Sequence, residues 1–510
     1  MRFKTLTTYL FPLLLALTSL EAKSQPNILI LYADDLGYGD LGCYNPDSKI
    51  PTPNLDQLAS EGMRFTDGHS SSGICTPSRY SLLTGKYHWR SFHDIVKAFG
   101  GSAFKSEELT LPEMLQNAGY TTSAIGKWHL GWDWNSIRRP NAKRTSQPHG
   151  KRQASTFTPD ALDWSKPIQD GPVAHGFDYY FGDTVINFPP YCWIENDKVT
   201  EVPTIMKDEA LWPKLKEGNW ECRPGPMIEG WNPYDNIPTT TAKAVEKIKA
   251  YGESDQPFFM YFAFPSPHAP IVPNDSFDGK SQAGPYGDFL VETDDSCGKI
   301  LAALKEAGLD ENTIVFFSAD NGPEKYAFER LSQFDHWSSY PLRGLKRDIY
   351  EGGHRVPFIV KWPQHVKAGS VSNALVSQID FMATLAEILN IELPQDQALD
   401  SFSFNPVLTG KMDTVRDTLI HNTHRNVYAI RHQQWNLVNT KPSINSVVAR
   451  KFNYSIDKSN KVSLFDMAQS ISQKDNLAKQ HPEKVEELRK LITDIRKQGY
   501  SAPHITTPLP

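Results

Sequence analysis

The 510-residue sequence predicts an α/β fold: one large domain of strands and helices, then a smaller C-terminal part. Three observations lead there. Apolar runs of strand length end in polar turn residues, an amphipathic helical pattern stands between such runs, and past about residue 400 the pattern breaks into short strand-like pieces and one charged helix.

The elements follow in order. Residues 27–35, NILILYADD, form an apolar run closed by two acids; residues 258–270, FFMYFAFPSPHAP, end in a His-bearing, Pro-rich loop; residues 313–322, TIVFFSADNG, end in Asp-Asn-Gly. Each reads as a buried strand followed by a turn. Polar residues therefore gather just past strand ends, where open α/β sheets place their ligands. In DDSCGKILAALKEAGLDENT, Ile300, Leu301 and Leu304 fall at helical spacing, and Gly308 is the expected stop. Residues 378–391, QIDFMATLAEILNI, read as a helix closing the main domain. Pro394, Pro406 and Gly410 mark a polar linker, and NVYAIRHQQWNLVNT, KVSLFDM and PEKVEELRKLITDIRKQG supply a small sheet and one helix. The expected division is 1–24, 25–400 and 401–510.

The first segment reads as a removable export signal, with basic Arg2 and Lys4, an apolar run from Tyr9 to Leu17, and Ala22-Lys23-Ser24 as a cleavage site. No later run reaches the roughly 18 apolar residues of a membrane span. The chain is therefore expected to be exported, periplasmic or secreted, with no membrane partner. A net charge of −6 argues against a nucleic-acid partner, because phosphate binding needs a positive field. Residues 138–152 are a local exception, with six Lys or Arg and no acid; this segment reads as a solvated loop, or alternatively as a rim that attracts a polyanion.

Cys43, Cys75, Cys192, Cys222 and Cys297 are an odd number for an exported chain, so at least one cannot pair internally. Their spacing fits no zinc site. Cys192 with Cys222 is a possible bridge across a short loop, though connectivity cannot be read from spacing. Cys75 stands directly before Thr-Pro-Ser-Arg.

Taken alone, Asp34-Asp35 and Asp320-Asn321-Gly322 are ordinary turn devices. Together they are hard oxygen ligands suited to Ca²⁺ or Mg²⁺. Lys127 and His129 in KWH, His268 in SPHAP and Lys346 in LRGLKRD would singly be a surface lysine, structural histidines and a loop lysine. Brought to one site, they would bind an anionic group and exchange protons with it. His88-Trp89-Arg90 and the aromatic segment 187–197 read equally as packing and as a sugar subsite.

CTPSR followed by LLTGK resembles the signature of the formylglycine-dependent type I sulfatases, in which Cys-x-Pro-Ser-Arg directs oxidation of the cysteine to an aldehyde. ILYADDLGYGDLGCY, TPNLDQLASEGMRFTDGHSSSG, GYTTSAIGKWHLG, HGFDYYFG, PHAP, SADNG and LRGLKRDIYEGGHRVPF match the same family in the same order, from about residue 26 to the C-terminal helix. The resemblance implies the alkaline phosphatase-like fold: a large mixed sheet sandwiched by helices, with a smaller C-terminal antiparallel sheet plus helix. It implies a secreted sulfuric ester hydrolase acting on a sulfated carbohydrate, either an algal polysaccharide or a glycosaminoglycan.

Roles follow from the same likeness. Cys75, converted to formylglycine by a maturation enzyme, is the nucleophile: one hydroxyl of the aldehyde hydrate attacks sulfur, and the second loses its proton to expel sulfate. Asp34, Asp35, Asp320 and Asn321 hold Ca²⁺, preferred to Mg²⁺, together with the modified Cys75. Arg79 orients the hydrate; Lys127, His268 and Lys346 bind sulfate oxygens, with His268 or Lys346 protonating the leaving alcohol; His129 is the base on the second hydroxyl. The rival readings are a phosphate or phosphonate monoester hydrolase of the same superfamily, a glycan-binding protein with a dead site, and a hydrolase using the Cys75 thiol itself.

Overall fold

The computed structural model describes residues 25–423, 426–454, 457 and 459–506; the export signal read in residues 1–24 lies outside them. Its centre is a ten-stranded sheet. In chain order the strands are β1 (Asn27–Ala33), β2 (Met63–Phe65), β3 (Thr121–Gly126), β4 (Tyr179–Gly182), β5 (Ile194–Glu195), β6 (Lys198–Val199), β7 (Phe258–Ala263), β8 (Thr313–Ala319), β9 (Phe358–Lys361) and β10 (Ser370–Ser372). Across the sheet they run β10-β2-β9-β8-β1-β7-β3-β4-β5-β6.

The five strands β8, β1, β7, β3 and β4 are mutually parallel, while β9 and β5 flank them antiparallel. The sheet is therefore mixed, as the likeness implied. Every residue of β1, β7 and β8 is buried, which is why these strands read as unbroken apolar runs. Helices α1 (Pro53–Glu61), α2 (Cys75–Thr84), α3 (Asn236–Tyr251), α4 (Gly284–Glu306) and α5 (Phe381–Leu389) pack around it. Ile300 and Leu304 face the core as their spacing required, and Gly308 takes the left-handed φ of +69° just past the end of α4. That helix starts earlier than its apolar stripe does, at Gly284, because Tyr286, Phe289 and Leu290 extend the buried face toward the N-terminus.

A second, antiparallel sheet holds β11 (Thr418–Asn422), β12 (Tyr428–His432), β13 (Trp435–Val438) and β14 (Ser463–Asp466). Helix α6 (Pro482–Gln498) lays Val485, Leu488 and Ile492 against Ile430, Leu437 and Leu464 of that sheet.

Two expectations change. The basic segment is no plain loop: Thr145–His149 pairs with Arg152–Thr156 in a hairpin whose alternate residues face solvent. Only Lys151 and Arg152 belong to the hairpin; Arg138, Arg139, Lys143 and Arg144 are exposed in the residues leading to it. Cys192 and Cys222 do not bridge; all five cysteines are free thiols, and these two are packed separately in the apolar core.

Candidate active site

Parallel strands carry their C-terminal ends to one edge of the sheet, and that geometry assembles the site. Asp34 and Asp35 follow β1, Lys127 and His129 follow β3, His268 lies in the loop after β7, and Asp320 and Asn321 follow β8. Backbone bonds fix the turns: Asp34 N–H donates to the Ser266 carbonyl at 2.9 Å and Asp320 N–H to the Ala33 carbonyl at 3.1 Å. At the end of β3 the chain must turn with almost no clearance. Gly126 has φ +94°, and a Cβ there would sit 2.1 Å from the Ala263 carbonyl oxygen, so only glycine can bring Lys127 into place.

Helix α2 begins at Cys75 and is buried along its whole length. Arg79 lies four residues on, on the same helical face. Its Nη2 and Nε donate to Asp320 Oδ2 at 2.7 and 3.1 Å, and its Nη1 donates to the Tyr261 hydroxyl at 3.2 Å. Thr76 and Ser78 hold the helix start: Thr76 donates to the His129 carbonyl at 3.0 Å and Ser78 to the Ser72 carbonyl at 2.8 Å.

Three carboxylates and three cations meet here, all buried. Lys127 is bonded to Asp34, and the Lys346 ammonium lies 2.6 and 2.9 Å from the two oxygens of Asp35. Asn321 Nδ2 donates to Asp35 Oδ1 at 2.7 Å, and His268 Nε2 stands 3.8 Å from Asp35 Oδ2. Burial, then the neighbouring Asp320 charge, pushes the Asp34 carboxyl up to about 8. Burial also opposes ionisation of Asp320, yet Arg79, Lys127 and Lys346 together hold it well below the usual carboxylate range. Burial and the nearby lysines push His268 well down. Burial and the Asp320 charge push the Cys75 thiol up to about 12, so it stays protonated at neutral pH.

Two buried oxygens in this cluster take no hydrogen bond: Asn321 Oδ1, and Asp34 Oδ1, which has only a longer ion-pair contact of 3.7 Å with Arg79 Nη2. Ligand atoms of Asp34, Asp35, Cys75 and Asp320 all lie within 4.8 Å of one another. Open acceptor oxygens on acidic and amide side chains are what a hard divalent cation takes, so the donor set fits one. His129 has a complementary feature. Its Nε2 donates to the Val96 carbonyl at 3.0 Å, which leaves Nδ1 as a buried lone pair with no partner; burial, then Lys127 and Arg79, keep the ring neutral.

A family model described as Sulfatase matches residues 26–391, and one described as N-sulphoglucosamine sulphohydrolase, C-terminal, matches residues 345–498. The chain belongs to the sulfatase family. It is 34% identical to an N-acetylgalactosamine-6-O-sulfatase of Bacteroides thetaiotaomicron, over 93% of this chain and 94% of that one. It is 34% identical to human arylsulfatase A, over 82% and 76% of the two chains. Among solved structures it resembles a sulfatase from the metabolism of multiple glycosaminoglycans by Bacteroides thetaiotaomicron, with TM-score 0.77, 33% identity and coverage of 93% and 100%. Sulfate ester hydrolysis is thus the activity of the family.

The sulfatase brings together every residue picked out in its sequence: Asp34, Asp35, Cys75, Arg79, Lys127, His129, His268, Asp320, Asn321 and Lys346. Two other side chains of the site were not assigned to it, and only the second lay in a segment with a signal of its own. Tyr261 lies inside an apolar strand run, and Phe188, whose ring packs edge-on to His129 at 5.3 Å with Arg223 stacked 3.8 Å above it, lies in the aromatic segment. The rest of that segment is packing, with Tyr191 and Cys192 buried and Trp193 stacked on Phe181. His88-Trp89-Arg90 is packing too: Trp89 stacks on Tyr87 and Arg90 binds Asp400.

Proposed function

We propose that this sulfatase removes sulfate from a sulfated glycosaminoglycan-type carbohydrate, using formylglycine made from Cys75 and a Ca²⁺ ion held by Asp34, Asp35, Asp320 and Asn321. The observation that carries the reading is the pairing of open oxygens on Asp34 and Asn321 with the open Nδ1 of His129, around Cys75. Burial, which raises the Cys75 thiol, speaks against a thiolate nucleophile. When bound, the cation supplies positive charge to a sulfate oxygen and to the nucleophile's hydroxyl.

The chain's own residues do the rest. Lys127 and Lys346 present N–H donors to the sulfate oxygens, which become more negative as the S–O bond to the sugar breaks; His268, whose Nδ1 faces the Ala269 carbonyl, adds an Nε2–H donor once the bound anion has brought its ring to the protonated form. Arg79, clamped by Asp320 and Tyr261, fixes the side chain at position 75. His129 Nδ1 takes the proton of the second hydroxyl, and a neutral ring is the form that can accept it. His268 or Lys346 returns a proton to the departing alcohol. The relatives named for N-acetylgalactosamine 6-sulfate make a 6-O-sulfated hexosamine the first substrate to try. Export to the periplasm or outside, and maturation by a formylglycine-generating enzyme, belong to the same reading.

The test is sulfate release from a panel of sulfated glycosaminoglycan oligosaccharides and algal polysaccharides, using protein co-produced with a formylglycine-generating enzyme and Cys75→Ala alongside. Peptide mass across residue 75 verifies the aldehyde. Release confined to the glycosaminoglycan arm and absent from Cys75→Ala is the expected result. Release from the algal arm alone overturns the substrate class, and release by the unmodified thiol form overturns the nucleophile.

A further inference from the structure

Arg223 stands one aromatic ring away from the candidate catalytic cluster. Its guanidinium carbon lies 3.8 Å from the centre of the Phe188 ring, and Phe188 in turn packs against His129 at 5.3 Å. The backbone is pinned on both sides of the side chain: Arg223 N–H donates to the Asn187 carbonyl at 3.1 Å, and the Arg223 carbonyl accepts from the Tyr191 hydroxyl at 2.7 Å. A stack and two backbone bonds therefore hold this cation in one place.

Its donors are unmet. Among the described residues no acceptor bonds any nitrogen of the guanidinium, and Nη1 is buried without a partner. The acids on this side are already engaged, Glu221 by the Tyr326 hydroxyl at 2.8 Å and Glu324 by Arg347. Arg79, Arg90 and Arg431 are also withdrawn from solvent, and each holds a carboxylate. Burial pushes the Arg223 guanidinium down, and Arg347 acts in the same direction, yet an arginine still keeps its charge near neutral pH. Packing explains the stack, because a ring face attracts a cation. It does not explain a half-buried charge whose N–H groups meet nothing, an arrangement that is costly unless another molecule supplies the counter-charge.

We propose that Arg223 is a specificity-determining residue, whose guanidinium binds a second anionic group of the substrate: a uronate carboxylate or a further sulfate on the sugar beside the one being desulfated. The inference rests on the glycosaminoglycan-type reading above. In such chains acidic groups recur on successive sugars, so a sulfate seated in the cluster brings another anion about one sugar away. Carboxylate and sulfate both offer paired oxygens that match the planar fork of a guanidinium. The whole chain carries a net charge of −6, which repels a polyanion, so cations fixed beside the site must supply the local attraction.

The experiment measures binding and sulfate release separately. Binding is read by calorimetry on Cys75→Ala protein with Ca²⁺, and release on protein carrying the aldehyde. Three disaccharides are compared, each with one 6-O-sulfated N-acetylhexosamine and with the neighbour placed in turn on either side. The neighbour is a uronate, the same sugar with its carboxyl reduced to an alcohol, or the reduced sugar bearing a sulfate. The expected result is that wild type binds the first or the third about ten- to a hundredfold better than the second, with the same preference in release carried by KM, and that Arg223→Gln loses the preference. Arg223→Lys keeps the charge without the fork and should retain only part of it; thermal melts check that both variants fold. The preferred arm identifies the anion as carboxylate or sulfate. Wild type that binds all three alike, or none of them, overturns the proposal whether or not sulfate is released. A preference that survives in both variants belongs to another residue and overturns it too. A binding preference that depends on Arg223, with no release from any arm, upholds this subsite and overturns the proposed activity instead.

Discussion

Two of the buried charge clusters among the described residues are built to opposite ends. In the candidate catalytic cluster three carboxylates face three cations, yet Asp34 Oδ1, 3.7 Å from Arg79 Nη2, and Asn321 Oδ1 take no hydrogen bond. In the other, Asp67 and Glu351 face Arg355 and Arg431 at the seam with the C-terminal sheet. There every carboxylate oxygen has a partner: Asp67 takes Arg431 on both oxygens, and Glu351 takes the arginines on one and Asn436 on the other. Charge balance is common to both. Open lone pairs separate a place that receives a ligand from a place that only holds the chain together.

The sharpest way to break this distinction is to remove one acid from each cluster. Asp34→Asn keeps an oxygen for Lys127 but weakens a cation ligand, so sulfate release should fall about a thousandfold while the thermal midpoint moves little. Asp67→Asn leaves Arg431 and Arg355 to share Glu351 as their one remaining buried carboxylate and should lower unfolding free energy by about 3 kcal/mol, read by denaturant melts. If Asp34→Asn destabilises the fold as much as Asp67→Asn does, the open oxygen is not a ligand position and the contrast fails.

The catalytic cluster was far more legible in the sequence than the closed one. Its residues stand at strand ends and in short motifs, so Asp34-Asp35, Asp320-Asn321 and CTPSR announce themselves, and the parallel strand order explains why they meet. Even the spacing of Cys75 and Arg79 is a helical one. Asp67 and Glu351 also stand in family motifs, but nothing in those motifs marks them as partners of each other or of Arg431, which lies in none; the three come from distant segments and meet only through packing between the sheets. Tyr261 was hidden for another reason: a hydroxyl inside an apolar run looks like any core tyrosine. The hairpin in the basic segment was hidden because Thr145–His149 and Arg152–Thr156 are polar almost throughout and carry no apolar alternation.

A third kind of buried ionisable group tests how far the rule extends. His88 is fully buried with no counter-charge; its Nδ1 faces the Phe92 carbonyl at 3.2 Å and its Nε2 has no partner. Burial, then His93, pushes it from 6.5 down to about 3. Because the folded value is the lower one, the unfolded chain takes up the proton first. The stability contribution is complete above pH 6.5 and is lost as pH falls toward about 3. The loss should approach about 1.4 kcal/mol per pH unit, or roughly 2 kcal/mol by pH 5. Melts of His88→Asn across that range should show a shallower acid slope by that amount; an unchanged slope would mean that the group titrates equally in both states.

The smallest effect is expected where the open cluster borders its closed frame. Tyr261 is a buried neutral hydroxyl that completes the bonding of Arg79, whose other nitrogens already hold Asp320. Tyr261→Phe removes that one acceptor at constant shape and leaves the Asp320 clamp, so stability should fall by about 1–2 kcal/mol. Arg79 still points at position 75, and kcat should therefore drop less than tenfold with KM unchanged. A loss approaching that of Asp34→Asn would show that the tyrosine, and not the aspartate, sets the guanidinium plane. The boundary between ligand site and frame would then lie one residue deeper in the sheet.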